Sequence, residues 1–577
     1  MAYNGLLDGG LVVMAGCAAD WTGGTNISSL AHGLEWETVL DGGIGGGSFW
    51  IEVDDPFNVA AYSWLMHGKR INVSHTYDAT TRYTYKAYIV NDPRRGLAGE
   101  KSRVTVELGG PLEVAKWRTD AAFSFTDCDT EACWFPNKRN NKVFSCETGD
   151  SIEISVDKGD KVPDNWRGGL ISYLPYLGAQ YMIGSAGVNK LSGVKRLDGH
   201  VTTRLGDSMK ASVMIPATRT RGYNDTRYVN GTYWDIIKTW SGNNTNRYFD
   251  SNSWGVSWGT DGVKHLALAL YSQPVTGANN VMNADRMVRF DEVRVYTGTL
   301  AKRLDEGMET VADWVNLHTT VDTDTIYSIV PNLVARPYCS PIDAMSEWAL
   351  QGDKIVMWGW WPDRATNNVE YRAVYLPTAG VRTSGDCYSV DSTVQGVEWD
   401  VRPRPEDGQG EVRALRLIYG RKGRNTDWPA GQPNAVIGPA DPGFRNTGGP
   451  FQGATSIVPT VDFSGKNWTT KHATDIAKSL GRRLQNADKM AGVVTARDVV
   501  LERTSDSAPM PYAYLQAGDF LVCDQEDVNS TKPMVITRCH VDVDGRQVSI
   551  EVGLPADKLL RQFEQAGSLR KANLRRR

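Results

Sequence analysis

The sequence predicts a mainly β protein of several domains with α+β parts. Short runs rich in aromatic and β-branched residues recur between Gly, Asn, Asp and Pro, a pattern typical of strands and turns. Helical spacing of apolar residues is confined to a few stretches after residue 299. At 577 residues the chain exceeds the size of one hydrophobic core and should divide into roughly four domains.

The composition excludes several broad classes of protein. Hydrophobic residues make up 41% and charged residues 23%, which is ordinary for globular domains. The 63 basic and 67 acidic residues nearly cancel, so no overall charge draws the chain to nucleic acid or anionic lipid. We expect no membrane span and no export signal, because long apolar runs and a basic N-terminal region are absent. The eight scattered cysteines predict buried free thiols.

Residues 1–119 predict a small β-barrel domain. A glycine cluster, Gly42–Gly47, indicates a flexible turn or bulge before a strand at 48–53, and Asp54-Asp55-Pro56 interrupts the chain directly after that strand. Further strands are expected at 70–75, 82–90 and 103–108. In the second of these, apolar residues alternate with polar ones, the period of a strand with one buried face.

Residues 120–298 predict an inserted β-sandwich, because this stretch is rich in aromatic residues, Asn and Gly and ends in a strand-like run at 287–296. Residues 299–389 predict a small α+β domain. Its first helix should present Leu300, Leu304, Met308, Val311 and Val315. A second helix should begin at Ser340 and end at Gly352, before a buried strand at 355–361.

The remaining sequence divides into three segments. Residues 390–455 predict a β-barrel segment whose Gly/Pro-rich part, 431–453, indicates a long loop. Residues 456–556 predict a C-terminal α+β or barrel domain with a helix at 470–489 and a hairpin. The hairpin should turn at Asp544-Gly545 in a type I′ conformation. Residues 557–577 predict a basic C-terminal helix or tail.

Enzymatic chemistry is not expected, and no cofactor or metal site is predicted. Gly42–Gly47 lacks the Gly-Lys-Ser/Thr of a phosphate loop. Asp291 and Glu292 are adjacent on a strand, so their side chains point to opposite faces and cannot act as a glycosidase pair. Gly255–Gly259 matches a Gly-x-Ser-x-Gly elbow but is followed by strand-like rather than helical sequence.

Two sets of residues remain as candidate binding sites. Aromatic rings among short polar residues suit a glycan site, although the same rings also suit packing. The glycan candidates are Tyr233, Trp234, Trp240, Tyr248, Trp254 and Trp258. The basic C-terminus offers docking to an acidic partner or DNA, against the alternative of a solvated tail. Its cations are Arg570, Lys571, Arg575, Arg576 and Arg577.

The order of several motifs resembles the hub proteins of tailed-bacteriophage tails and baseplates. Near the front these are Gly45-Gly46-Gly47-Ser48-Phe49, Asp54-Asp55-Pro56, Gly68-Lys69-Arg70-Ile71-Asn72-Val73 and Val104-Thr105-Val106-Glu107-Leu108-Gly109-Gly110-Pro111-Leu112. Further along come Ser340-Pro341-Ile342-Asp343-Ala344-Met345, Leu515-Gln516-Ala517-Gly518-Asp519-Phe520-Leu521-Val522 and Val552-Gly553-Leu554-Pro555. The run Phe290–Tyr296 is similar to concanavalin-like or laminin-G-like sandwiches carried by minor tail proteins.

The resemblance implies a structural role at the distal end of the tail in the virion. It implies a homotrimeric ring that joins the distal tail protein and the tape-measure protein to other minor tail or fibre proteins, and through which DNA passes during ejection. The alternative is a tail adhesin that binds a host cell-surface glycan through residues 120–298. A large, persistent trimer interface would use aromatic residues, and the chain has 19 Trp and 23 Tyr.

Overall fold

A computed structural model gives the fold of the chain. It describes residues 10–54, 59–76, 82–97, 103–117, 134–136, 151–156, 158–159, 161–162, 169–173, 196–206, 209–216, 226–229, 232–256, 258, 266–272, 280–281, 284–296, 308, 311–312, 314–317, 322–323, 342, 345, 349, 355–364, 368–376, 387–391, 395–403, 415–421, 434–438, 459–468, 470–485, 487–488, 490–504, 507, 509–524, 533–555 and 558–563. None of the described helices is both long and apolar enough to cross a membrane.

Strands dominate the described residues, as the sequence predicts. The first are β1 Val12–Cys17, β2 Thr25–Asn26, β3 His32–Val39, β4 Asp41–Glu52, β5 Arg70–Thr76, β6 Arg82–Ile89 and β7 Arg103–Gly109. Then follow β8 Trp134–Pro136, β9 Ser151–Val156, β10 Lys161–Val162, β11 Gly169–Tyr173, β12 Arg196–Arg204, β13 Met209–Pro216, β14 Thr226–Val229, β15 Thr232–Trp240, β16 Asn243–Asp250, β17 Leu266–Ser272, β18 Asn280–Val281 and β19 Arg286–Tyr296.

The C-terminal half adds β20 Asp322–Thr323, β21 Val356–Pro362, β22 Val369–Tyr375, β23 Cys387–Asp391, β24 Val397–Pro403, β25 Leu415–Arg421, β26 Asn434–Gly438, β27 Thr460–Trp468, β28 Met490–Arg497, β29 Val500–Arg503, β30 Pro509–Pro511, β31 Phe520–Asp524, β32 Met534–Asp542 and β33 Gln547–Val552. The α-helices with defined bounds are α1 Arg94–Leu97, α2 Glu113–Trp117 and α3 Thr470–Gln485. Short 3-10 helices span Val59–Tyr62, Ser251–Trp254 and Tyr512–Tyr514.

The main sheet joins the two ends of the chain. Its antiparallel strands run in the order β2-β1-β5-β6-β7-β4-β3-β32-β33-β28-β24. Two strands act as branch points, because β4 also pairs with β21 and β32 also pairs with β31. The mainly β class is therefore confirmed, but the pairings among the described residues form an open, branched sheet and do not close into the expected barrels.

One hydrophobic core, which we call the scaffold core, lies against this sheet. It contains buried residues from Val13 to Ala115 and from Met308 to Val552, and among the described residues between them it contains none. Strand β6 is buried on both faces, including Thr84 and Lys86, rather than on the one face expected. Strands β21 and β22 contact β6, which accounts for the burial of that second face.

The glycine cluster at 42–47 lies within β4, where the pairing with β3 shifts register between Ile44 and Gly47, so the structure has the expected irregularity of a bulge and not a turn. A Cβ added to Gly43 would lie 1.8 Å from the carbonyl oxygen of Trp360, and one added to Gly359 would lie 2.2 Å from the backbone of Gly42. Parallel pairing of β4 with β21 brings these backbones together. The glycines therefore permit close strand contact, a use that their local sequence does not reveal.

The two helices expected after residue 299 are present in the described positions. Met308, Val311 and Val315 are helical and fully buried, whereas Leu300 and Leu304 lie outside the described residues. Met345 and Ala349 are helical and buried in the scaffold core. The strand expected at 355–361 is β21, and all of its residues are buried.

A hydrophobic core separate from the scaffold core forms around α3, which packs on β25 and β26. The apolar residues that recur at helical spacing in α3 are all buried: Ala473, Ile476, Ala477, Leu480 and Leu484. The long loop expected at 431–453 is wrong in part, because Asn434–Gly438 forms β26 and pairs with β25. The short apolar run Ala435-Val436-Ile437 is the signal for this strand, but Gly and Pro residues surround it and dominate the composition of the segment.

The C-terminal hairpin of β32 and β33 is confirmed, but its turn is wider than the predicted type I′ turn. Asp542 pairs with Gln547, which leaves residues 543–546 in the turn. The Asp542 Oδ1 atom accepts a hydrogen bond from the Gly545 N–H at 2.8 Å, and Arg546 takes a positive φ of 52°. Side-chain capping by Asp542 thus stabilises a longer turn.

Residues within the predicted insert form two sheets around their own core. One sheet has the order β14-β15-β13-β17-β11-β8 and the other β16-β12-β19-β9. Buried side chains of both sheets meet in this sandwich core, including Val213, Leu268, Val201 and Phe290. The expectation of a β-sandwich is confirmed, and among the described residues the scaffold core and the sandwich core have no member in common.

Candidate interaction sites

A buried polar cluster connects three separate stretches of the scaffold. The Arg364 guanidinium forms an ion pair with the Asp519 carboxylate, and the side chains are 15% and 2% exposed. Arg364 also donates from Nη1 to the Tyr388 hydroxyl at 2.9 Å and from Nε to the Tyr514 carbonyl at 3.0 Å. Charge-assisted bonds in a buried site fix geometry strongly, so this cluster aligns the middle and C-terminal segments.

The N-terminal segment joins the same cluster. The His75 Nδ1 atom lies 2.5 Å from the Tyr514 hydroxyl, and the Ala517 N–H donates to the Thr38 hydroxyl at 2.9 Å. Burial lowers the pKa of His75 to about 4, so the ring is neutral at physiological pH. We call the set Thr38, His75, Arg364, Tyr388, Tyr514 and Asp519 the junction cluster.

Sequence inspection found only part of the junction cluster. The Gly518-Asp519 pair belongs to a motif of the resemblance, and Gly518 takes a φ of +96° in the turn before β31. Arg364 follows the Trp-rich strand with no distinguishing spacing, and His75 stands alone in β5. Their partners lie 155 and 439 residues away, so no local pattern could connect them.

Where β3, β32 and β33 lie side by side, the main sheet has a polar face. Arg538 on β32 donates from Nε to Glu37 on β3 at 2.7 Å, and its Nη1 atom lies 3.6 Å from Glu551 on β33. Lys558 lies 3.0 Å from Glu551. Arg538 lies directly opposite Glu551 and diagonally across from Glu37, and opposite charges at such positions stabilise an antiparallel sheet that faces water on one side. This face therefore carries neutralised pairs rather than one sign of charge.

Most described glycan candidates in the sandwich are packing residues. Trp240 is 5% exposed and belongs to the sandwich core, and Trp254 and Trp258 pack against that core. The Trp240 and Trp254 rings meet edge to face with centroids 6.0 Å apart. Tyr233 and Trp234 lie on β15, and their side chains are outside the described set. Trp240, Trp254 and Trp258 are therefore packing residues of the sandwich.

Tyr248 differs from the other candidates because it is 49% exposed. Its hydroxyl lies 3.4 Å from Asp198 Oδ2, and its ring lies 5.4 Å from that of His200. Arg196 donates to both carboxylate oxygens of Asp250, at 3.0 and 2.7 Å. An exposed aromatic ring can stack on a sugar, and carboxylate oxygens fixed beside it can accept hydrogen bonds from the hydroxyls of that sugar.

The basic candidates Arg570, Lys571, Arg575, Arg576 and Arg577 lie outside the described residues. The Gly255-x-Ser-x-Gly match begins at the end of a 3-10 helix, where Gly255 takes a φ of 66°. Within the described ranges, no group of three or more His, Cys, Asp or Glu is arranged to hold a metal ion. Cys17, Cys387 and Cys539 are buried free thiols, as expected.

Comparisons with known proteins give structural likenesses alone. No protein-family model and no curated protein matches the chain. The chain is similar to the crystal structure of the 43 kDa tail protein of prophage MuSo2 from Shewanella oneidensis, with a TM-score of 0.37, 9% identity and coverage of 95% of this chain and 99% of that chain. It is also similar to prophage tail protein gp18 from Listeria monocytogenes EGD-e, with a TM-score of 0.35, 7% identity and coverage of 97% and 99%.

A third solved structure, the tail protein from Neisseria meningitidis MC58, has a TM-score of 0.26 and 12% identity, covering 63% of this chain and 92% of that chain. All three TM-scores and identities are low. These likenesses therefore define neither the fold nor the activity of this chain.

Proposed function

We propose that the chain is a structural hub protein of a bacteriophage tail, located at its distal end. The observation that carries this proposal is the junction cluster. The Gly518-Asp519 motif of the resemblance contacts Thr38 and His75 through its neighbours and Arg364 directly. Residues of motifs far apart in sequence, such as Phe49, Met345 and Leu521, also share the scaffold core, which supports a single hub scaffold.

The proposal extends to a homotrimeric ring that contacts the distal tail protein, the tape-measure protein and other minor tail or fibre proteins. Among the described pairings, β24 at one end of the main sheet bonds with β28 alone, and β2 at the other end bonds with β1 alone. Open sheet edges are usually covered or paired. Contacts between copies at such edges would close a ring through which DNA passes during ejection.

A non-enzymatic role accords with this proposal, because the buried polar groups of the scaffold join segments of the chain. Arg364 and Asp519 are largely buried and bind each other. A buried ion pair of this kind fixes how the segments are arranged and does not expose a reactive group to a substrate. The chain is proposed to act by shape and contact.

Gene deletion with complementation tests the hub proposal. A phage that lacks this chain should make no complete tails by electron microscopy, and the wild-type chain supplied in trans should restore them. Arg364→Ala should fail to complement, whereas exchange of the exposed pair member Arg402→Ala should complement fully. Intact, infectious tails in the deletion strain would disprove a hub role.

A second candidate function is binding of a host cell-surface glycan by the sandwich. The exposed Tyr248 ring, with Asp198 and His200 beside it, favours this function. In pull-down experiments on host cell walls, the full chain should bind and Tyr248→Ala should lose at least about tenfold in affinity, as loss of a stacking ring predicts. Leu30→Ala, at an exposed residue of the scaffold, is the matched control and should bind normally.

A further inference from the structure

Two cations on neighbouring strands of the scaffold share one sheet face and form no ion pair with any described residue. Arg70 on β5 and Lys86 on β6 share one face of the sheet, because Arg70 pairs with Tyr88 and Asn72 pairs with Lys86. Lys86 is only 7% exposed. Among the described residues, no carboxylate lies within 4.0 Å of either cation. Burying an uncompensated charge is costly in free energy.

Aromatic rings and amides surround the two cations. The Arg70 Cζ atom lies 5.4 Å from the centroid of Trp21 and 5.5 Å from that of Tyr88, and the Lys86 Nζ atom lies 5.9 Å from Trp21. Lys86 also donates to Asn368 Oδ1 at 2.8 Å. Trp21 is itself fixed, because its Nε1 donates to the Val315 carbonyl at 2.9 Å. These contacts hold the cations in place without neutralising them.

Unused hydrogen-bonding atoms lie on the same sheet face. Among the described residues, the buried Arg70 Nε atom has no hydrogen-bond partner, and the same holds for the Thr84 hydroxyl and the Asn72 Oδ1 atom. Buried polar atoms are normally paired, so such unpaired atoms indicate a missing partner. Beside two cations, an acceptor that carries negative charge would satisfy these donors and also compensate the buried charge.

The nearby titratable groups supply that charge only in part. Burial raises the pKa of the Cys17 thiol, although the charges of Arg70 and Lys86 oppose the change, so Cys17 is neutral. The charge of Arg70 helps to lower the pKa of Asp20, but this exposed carboxylate accepts its hydrogen bonds from the Thr22 hydroxyl at 2.7 Å and from the Thr22 N–H at 3.1 Å. Burial lowers the pKa of Lys86 to about 8, which a bound anion would reverse.

We propose that Arg70 and Lys86 form a binding site for a small oxyanion, of the chemical class of phosphate and carboxylate ions. Arg70 would bind it through its planar guanidinium and Lys86 through its ammonium, with Trp21 as one wall. This pairing of donors is typical of oxyanion recognition. The site lies in the scaffold and is separate from the junction cluster, so the proposal does not depend on the hub function.

Thermal unfolding of the full chain tests the proposal with four proteins and three salts. Sodium phosphate and sodium acetate, compared with sodium chloride at equal ionic strength, should raise the Tm of the wild type. Arg70→Gln and Lys86→Met should lose that rise. Arg103→Gln should keep it, because Arg103 also stacks on a tryptophan, Trp50, but at an exposed position. A response to phosphate alone identifies phosphate as the ligand, and a response to acetate alone identifies a carboxylate.

Two results would overturn the proposal: a Tm that follows ionic strength alone, or equal responses in all four proteins. Calorimetric titration of the wild type with inorganic phosphate and acetate provides a second readout if a variant does not fold. Saturable binding of either ion, weakened roughly tenfold or more in whichever variant folds, is expected from the loss of one charge-assisted bond. Absence of saturable heat for both ions contradicts the site.

Discussion

The Arg364–Asp519 ion pair is the residue-scale contact on which the scaffold depends most. Both side chains are largely buried, and Asp519 also accepts the Gln516 N–H at 2.9 Å. A buried pair of this kind contributes little compared with a hydrophobic replacement, but breaking it leaves one charge without compensation. The pair therefore acts mainly to select one arrangement of segments that lie far apart in sequence.

Replacement of Asp519 by Asn should destabilise the chain by about 3–5 kcal/mol, because Arg364 would remain buried without its anion. The double variant Asp519→Leu with Arg364→Met should recover part of that loss. Urea denaturation measures both effects. As a control, Asp400→Asn removes half of an ion pair whose side chains are 80% and 70% exposed, and should leave the unfolding midpoint unchanged. Equal stability of Asp519→Asn and wild type would contradict this interpretation.

His75 makes stability depend on pH. Its folded pKa of about 4 lies below the ordinary value of 6.5, so between these values the unfolded chain binds the extra proton. Its contribution is fully present above about pH 6.5 and falls by roughly 3 kcal/mol as pH drops to about 4. Urea midpoints from pH 4 to 8 should show this loss in the wild type and a smaller one in His75→Gln. Parallel curves for the two proteins would rule out His75 as the cause.

Residue-scale predictions from the sequence succeeded where a local pattern existed. Helical spacing identified the buried face of α3, for example Ile476 and Leu480. Pattern alone could not separate the exposed Tyr248 from the buried Trp240, because both occur in aromatic, Asn-rich sequence. Nor could it find the pairing of His75 with Tyr514, which tertiary folding alone brings together.

At the scale of elements, the approach of β4 to β21 decides how the branched sheet forms. Gly43 has a φ of +73° and lies against the Trp360 backbone. A side chain there would require both a rare backbone conformation and separation of the two strands. Glycine at this position is therefore a requirement of packing rather than of flexibility.

Gly43→Ala should prevent folding or cost more than about 3 kcal/mol, because its Cβ would overlap the Trp360 carbonyl. Gly23→Ala is a matched control with a similar φ of +66° and nothing within 4 Å of its added Cβ. It should cost only about 1–2 kcal/mol from backbone conformation. Thermal unfolding followed by circular dichroism gives the stability loss of each variant, and the difference between the two losses is the cost of the steric overlap with Trp360. Equal losses would mean that the contact with Trp360 is unimportant.

Element boundaries show which signals the sequence carries. The interval of β21 was predicted from an unbroken apolar run, and the hairpin of β32 and β33 from alternating residues around Asp544-Gly545. Strand β26 was not predicted because it has only five residues and lies within a Gly/Pro-rich segment. The turn at 543–546 was misassigned because the Asp542 side chain, rather than Asp544-Gly545 alone, determines its length.

For the whole molecule, the separate cores explain how a sandwich is accommodated in a scaffold built from both ends of the chain. The scaffold core takes no residue between Ala115 and Met308 in the described part of the chain, and the sandwich core takes only residues from Ile154 to Phe290. Unfolding or mutation of one independent core has little effect on the stability of the other. The sequence indicated this division through its change of composition near residue 120, but it could not reveal the branched pairing that joins the scaffold.

Replacement of residues 118–297 by a short Gly/Ser linker should leave the scaffold folded, with a Tm within roughly 3 °C of the corresponding transition in the full chain. Removal of the β32–β33 hairpin should instead abolish folding, because Val541 and Ile550 belong to the scaffold core. Differential scanning calorimetry of both deletions measures this. Loss of the scaffold transition on removal of 118–297 would show that the two cores are coupled.

The proposed hub role is tested most directly by cryo-electron microscopy of intact virions, with quantitative mass spectrometry of the same tails. Three copies of this chain per tail, with density for the main sheet in a ring at the distal end, are the expected result. Absence of the chain from purified tails, or a single copy that forms no ring, would contradict the account.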